Sequence, residues 1–182
     1  MKPNTQPVTA DELLRMGSDG ICRELIRGEL REMTPPGEEH GWVTAKVNAI
    51  IGHFILERKL GRFVASETGF LIEHNPDTVR APDFAFTRAE RLSGPASRKY
   101  ATIPPDLVIE TLSPGDRPAE VAEKIADWLR FGVALAWVID PARRSVAVHR
   151  PGKQVEVLRA GQFLEGEEVL PGFRLAVDEI WS

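Results

Sequence analysis

Three observations predict an α/β (α+β) domain built on a mixed central sheet. The segments run helix, strand pair, long helix, several strands, helix, strand, strands, an order that mixes hairpins with one strand-helix-strand unit. Residues 107–112 are apolar almost throughout, as in a strand covered on both faces, and residues 134–139 repeat the pattern after a helix-length segment. Residues 38–59 and 117–131 carry apolar side chains at helical spacing, giving the sheet helices to pack against.

With no internal repeat or low-complexity linker, residues 1–182 read as one domain, long enough for a real core. Hydrophobic residues make up 42% and charged residues 27%, as in soluble globular proteins. No run approaches a membrane span in length. The first six residues have no apolar core after Lys2, so they do not read as a secretory signal. Cys22 is the only cysteine, which excludes an intrachain disulfide and a cysteine-based zinc site. A cytoplasmic location is the expectation. A net charge of −4 and a pI of about 5.6 argue against coating nucleic acid through bulk positive charge. They leave room for an enzyme with a basic rim around an acidic metal centre.

The elements follow in order. Thr9 and Glu12 fit a capping box, predicting a short helix through about Met16 that Gly17 ends. Residues 21–27 and 29–33 flank Gly28 as a hairpin. Pro35-Pro36-Gly37 breaks the chain. In residues 38–59, Val43, Val47, Ile50, Ile51, Phe54 and Ile55 form one apolar stripe, and Gly61 closes the helix. Residues 62–66 and 69–73 read as strands, and residues 79–87 contain the next one, with Pro82-Asp83 at its start. Residues 88–103 are polar and irregular. The central strand follows, then a turn in which Asp116 suits the N-cap of a helix over 117–131, ended by Gly132. Residues 134–139 form an apolar strand, and 145–149, 154–158 and a short element near 174–177 look like hairpin strands. Trp42, Trp128, Trp137 and Trp181 read as packing residues.

Candidate chemistry starts at Glu110. Alternation along the strand puts Val108, Glu110 and Leu112 on one face. A carboxylate buried there must be hydrogen-bonded, paired, protonated or metal-bound; the plainer alternative is a strand-end acid reaching solvent. Asp83 follows a proline that cannot sit in mid-sheet without losing a ladder bond, so it is either a turn acid or a ligand where a strand begins. On the 117–131 helix, Val121, Ile125, Trp128 and Leu129 form the apolar face, and Glu120, Glu123, Asp127 and Arg130 the wet side. Lys124 lies on the border. It either pairs with Glu120 at the surface or points at the sheet. Two carboxylates and a lysine meet the needs of metal-assisted phosphodiester hydrolysis. Carboxylate oxygens suit Mg²⁺, the ion lowers the pKa of bound water, and a lysine stabilises developing charge or helps deprotonate the attacking water.

Pro82-Asp83, PPDLVIETLSP (104–114), Glu123-Lys124, GVALAWVIDP (132–141) and CRELIRGELREMTPPGEEHG (22–41) together resemble the Uma-two family of restriction-endonuclease-like proteins, within the PD-(D/E)XK nuclease superfamily. The resemblance runs over most of the chain. It implies a restriction-endonuclease-like core with N-terminal and C-terminal hairpins, and divalent-metal chemistry on DNA with Mg²⁺ or Mn²⁺. It casts Asp83 and Glu110 as metal ligands and catalytic acids. The usual superfamily lysine lies two residues after the second acid, where this chain has Leu112. The resemblance places the lysine on the next helix, at Lys124. Glu24 and His40 match further motif positions as auxiliary residues. Their plainer readings are an acid of an exposed ribbon and a capping histidine. Glu67, between two strands, is a further acid within reach, whereas His53, His74 and His149 lack ligand spacing.

The expected function is therefore a metal-dependent DNA endonuclease hydrolysing phosphodiester bonds. The alternatives are a catalytically inactive nucleic-acid-binding or accessory domain that keeps the fold, or a structural protein whose acids merely finish strands. A homodimer is expected, since symmetric dimers suit the cutting of both strands, with the hairpins after Ser145 as an interface.

Overall fold

The capping box forms. In the computed structural model, which describes residues 6–17 and 21–182, Thr9 Oγ1 accepts from the Glu12 amide at 3.2 Å and Glu12 Oε2 from the Thr9 amide at 2.8 Å. Two of the helix's unpaired amides are thereby satisfied. Helix α1 (Ala10–Arg15) follows, and Gly17 (φ 70°) lies just beyond its cap, Met16. Residues 1–5, within the stretch read for a secretory signal, lie outside the described residues. Strands β1 (Cys22–Ile26) and β2 (Glu29–Met33) make the expected hairpin. Its turn residues Arg27 (φ 49°) and Gly28 (φ 79°) are both left-handed, which matches the twist of the paired strands.

Helix α2 (Glu38–Arg58) buries Val43, Val47, Ile51 and Ile55, with Ile50 and Phe54 alongside. Burying each such side chain contributes roughly 1.5–3 kcal/mol. Lys59, not Gly61, ends the helix. It turns left-handed (φ 53°), and its amide bonds the Ile55 and Leu56 carbonyls. Gly61 instead opens β3 (Gly61–Ala65), where a Cβ would lie 2.2 Å from the Thr87 carbonyl oxygen. The glycine serves close approach rather than termination. Trp42 also departs from expectation. It sits away from the core, 48% exposed, with Lys46 Nζ 5.5 Å from its ring centre.

Strand β4 (Phe70–Glu73) comes next. The strand expected within 79–87 divides into β5 (Thr78–Arg80) and β6 (Phe84–Arg88), which belong to different sheets. The break falls at Ala81-Pro82-Asp83, where Pro82 has no amide for a ladder. The central strand β7 (Leu107–Thr111) leads into α3 (Pro118–Phe131) and then β8 (Leu135–Asp140). The α3 N-cap is Arg117, not Asp116. Asp116 Oδ2 accepts from the Ser113 amide at 2.7 Å and shapes the preceding turn. Pro118 then starts the helix where an amide has no partner to lose, and Gly132 (φ 108°) ends it. Strands β9 (Ser145–His149), β10 (Glu156–Leu158), β11 (Phe163–Glu165) and β12 (Arg174–Ala176) complete the chain. Three-residue β11 has no alternating run to announce it.

The fold class is as expected. The central sheet has the order β10-β9-β8-β7-β6-β3, and only β7 and β8 run parallel. A second sheet, β2-β1-β5-β4, and the β11-β12 hairpin flank it. Helix α2 packs on the face carrying Phe84, Phe86, Leu107 and Ile109. Helix α3 packs on the other, against Ala85, Val108, Ala136 and Val138. Glu110 therefore shares the α3 face with Val108, as the alternation requires.

Candidate functional site

The β6–β7 register brings the two acids together. Phe84 pairs with Ile109, so Asp83 and Glu110 are the next residues outward on antiparallel strands. Asp83 occupies the bend before β6 and its backbone is clasped. Its carbonyl accepts from Asn48 Nδ2 at 3.2 Å and from the Ser66 hydroxyl at 3.3 Å. Asp83 Oδ2 accepts from the Thr111 amide at 2.7 Å and faces His40 Nε2 at 3.3 Å. Thr111 is fixed in turn by a buried hydroxyl contact of 2.9 Å with Thr44. Burial pushes the Asp83 carboxyl up, but the His40 and Thr111 donors outweigh it and hold the group below its ordinary value. His40 is raised, first by its bond to Asp83, against the opposing effect of burial.

Glu110 is 8% exposed, and both its oxygens are engaged. Oε2 takes Lys124 Nζ at 2.9 Å and Oε1 takes Trp128 Nε1 at 2.9 Å. Burial pushes Glu110 up to about 7; Lys124 opposes this, and the negative charges of Asp83 and Glu24 add to it. Lys124 points at the sheet. Its ammonium also donates to the Ala81 carbonyl at 2.9 Å and lies 3.1 Å from Glu24 Oε1. Burial disfavours the ammonium, but Glu110 and Glu24 reverse that and hold its pKa above the ordinary lysine value. The Glu120 partnership does not form; Glu120 faces Arg117 at 3.5 Å.

Glu24 is not an exposed ribbon acid. It is 4% exposed, takes the Ala81 amide at 3.0 Å and Arg80 Nη1 at 2.8 Å, and sits below its ordinary pKa because burial is outweighed by Lys124 and Arg80. The hairpin that carries it is tied to α3 by Arg27 and Glu123 at 3.2 Å. Asp127 corrects the expectation of a wet side on α3. It is 4% exposed, because Arg80 arrives from β5 and grips its Oδ2 through Nε at 3.0 Å and through Nη2. A helical wheel cannot register a cation that comes from another sheet. Arg80 ends the three-residue strand Thr78–Arg80, too short and too polar a run to mark it as Glu110 is marked. Trp128 was expected only to pack, yet it also bonds Glu110. Glu67 lies in an exposed turn at φ 70°, outside the group.

Asp83, Glu110, Lys124, Glu24 and His40 thus converge at one end of β7. Among the described residues, no three or more His, Cys, Asp or Glu side chains are grouped as a ready-made metal cage. The hard carboxylates are Asp83 and Glu110, at neighbouring positions on paired strands, with one partly buried ammonium beside Glu110.

The chain is similar in fold to the crystal structure of a "putative nuclease belonging to DUF820" from Anabaena variabilis, with a TM-score of 0.84 and 22% identity over 96% of this chain and 98% of that one. No curated protein matches the chain. The Uma2 family profile, described as "Putative restriction endonuclease", matches residues 10–178. That span runs from the first helix to the last turn and takes in every residue of the convergent group. The chain belongs to the Uma2 family.

Proposed function

We propose that the protein is a divalent-metal-dependent endonuclease that hydrolyses phosphodiester bonds in DNA and works as a homodimer. In this reading Asp83 and Glu110 are the metal ligands and Lys124 is the catalytic cation. One observation carries it: Lys124 Nζ lies 2.9 Å from Glu110 Oε2. An ammonium borne on α3 stands beside the second acid although β7 is followed by Leu112.

The donor set fits a hard divalent ion. Mg²⁺ retains several waters and is commonly held by one or two carboxylates plus substrate phosphate, so two protein ligands suffice. Asp83 Oδ1 is the least engaged oxygen, with only the Ser66 hydroxyl at 3.5 Å. A bound Mg²⁺ or Mn²⁺ would polarise the phosphate and lower the pKa of an attacking water. Lys124 serves as fixed positive charge rather than as a base, because its neighbours stabilise the ammonium and a general base needs a pKa near the working pH. It offsets charge at Glu110 and would offset charge on a phosphate drawn to an ion held by the two acids. His40 holds the Asp83 carboxylate in one orientation, and Glu24 holds Lys124.

The test is cleavage of supercoiled and linear DNA with Mg²⁺, Mn²⁺ or a chelator. Activity should require the ion, and Asp83→Ala or Glu110→Ala should lower it by at least about 10²-fold, the scale on which single catalytic groups act. Salt-dependent DNA binding without cleavage in either metal would favour the inactive binding module instead.

A further inference from the structure

A lysine on a helix needs an anchor that a lysine on a central strand does not. Lys124 has a long flexible stem, and its ammonium is placed only by what receives its protons. Those acceptors are Glu110 on β7, the Ala81 carbonyl on the link between sheets, and Glu24 on β1. Glu24 is held in turn by the Ala81 amide on Oε1 and by Arg80 on Oε2. The Arg80 fork spends Nη1 on Glu24 Oε2 at 2.8 Å, and Nε, at 3.0 Å, with Nη2 on Asp127 Oδ2. Asp127 lies on α3, three residues after Lys124. The contacts therefore leave α3 at Asp127, cross Arg80 and Glu24, and return to α3 at Lys124. The side chains of Arg80, Asp127 and Glu24 are 4%, 3% and 5% exposed.

We propose that Arg80 and Asp127 are positioning residues, which fix the Lys124 ammonium over Glu110 by holding Glu24 in place. The inference rests on the reading of Lys124 as the catalytic cation. Net stability is a poor reason for such a ring, since a buried ion pair is often matched or bettered by apolar side chains of the same volume. Fixing one charge at the junction of two sheets is a task apolar packing cannot do. The chemistry also demands arginine, whose planar fork reaches two acids in set directions; a lysine is a single point charge.

The decisive variants are Arg80→Lys and Asp127→Asn in the full chain. Each should lower kcat at least tenfold and leave KM for DNA within twofold. The loss should shrink to less than threefold when Lys124 is already Met, because the pair then has nothing to position. A second readout needs no catalysis. In ¹⁵N-lysine spectra of the metal-free protein, the Lys124 ammonium, held by three acceptors, should give a slowly exchanging signal that Arg80→Lys abolishes. If Arg80→Lys does not fold, the nearly isosteric Asp127→Asn carries both measurements. A tenfold loss that persists undiminished beside Lys124→Met means a general structural role and overturns the proposal. So does an unchanged ammonium signal in the variants. A wild-type protein inactive on all DNA with either metal would sink the nuclease reading, and the spectra would still decide whether Arg80 places Lys124.

Discussion

Trp128 Nε1 donates to Glu110 Oε1 at 2.9 Å, while Lys124, one turn earlier on the same helix, takes the other oxygen. Two side chains of α3 thus clamp one carboxylate of β7. Trp128 is fully buried against Phe70, ring centres 5.6 Å apart and nearly perpendicular, so the indole cannot turn away.

Trp128→Phe keeps an aromatic ring in the core and removes the donor. Glu110 Oε1 is then buried without a partner, at a cost of about 1–3 kcal/mol. Urea unfolding should show a loss of that size, with the slope against denaturant unchanged. Activity should fall too, because Glu110 is freed to rotate. A variant as stable and as active as the parent would mean that the bond contributes nothing.

The His40–Asp83 pair predicts a pH dependence with a definite sign. His40 is raised above its ordinary value, first by Asp83. Its contribution to stability is full below about 6.5, the usual histidine value, and is lost as pH rises through the higher folded-state value. Asp83 is lowered, with burial outweighed by His40 and Thr111. Its contribution is present above about 3.9 and lost as pH falls through the folded-state value. The pair therefore stabilises most between these limits. Proton NMR titration should place His40 above the ordinary histidine midpoint and His149, which burial lowers, below it. In Asp83→Asn, His40 should drop back while His149 stays put. A His40 midpoint that ignores Asp83→Asn would disprove the pairing.

Asp106 separates stability from activity. It lies at the far end of β7 from Glu110 with its side chain 2% exposed. It takes the Arg88 amide at 2.9 Å, Arg88 Nε at 3.0 Å and Arg91 Nη1 at 2.9 Å. Asp106→Asn should destabilise by roughly 1.5–3 kcal/mol, the range for hydrogen bonds to a charged group, since both arginines are partly exposed. Activity per folded molecule should not change. Melting temperature and kcat measured on the same preparation settle the point. A large fall in kcat at full folding would place Asp106 within the chemistry.

The contrast between Lys124 and Asp127 shows what the sequence could reveal. Both lie on one helix, where spacing puts Lys124 at the border of the apolar face and Asp127 on the wet side. Periodicity placed the helix, and the resemblance singled out Lys124. The burial of Asp127 depends on Arg80, 47 positions earlier and in another sheet, which no local period encodes. The division of residues 79–87 into β5 and β6 was hidden for a related reason. Pro82 announces a break but does not say that the chain changes sheets there. Asp83 and Glu110 stood out because a charge in or beside an apolar strand costs free energy unless something receives it, but that left a turn acid and a strand-end acid open, and the resemblance cast them as ligands. Trp128, Asn48 and Thr44 were not, because polar groups that also pack look like core residues.

The homodimer is testable at the C-terminal edge of the central sheet. β10 is the outermost strand, and Val155, Val157 and Phe163 beside it are 52%, 40% and 41% exposed. A free strand edge with apolar side chains invites pairing with another copy, and a charged residue there blocks it. The full chain should sediment as a dimer at micromolar concentration. Val157→Lys should shift it to a monomer and leave its melting temperature nearly unchanged, since an exposed side chain away from the core contributes little to folding. Cutting of both strands should weaken with the dimer, whereas nicking of one strand should survive, because each copy holds its own Asp83, Glu110 and Lys124. A wild-type monomer at those concentrations would exclude the dimer, and a dimer untouched by Val157→Lys would move its interface to another surface.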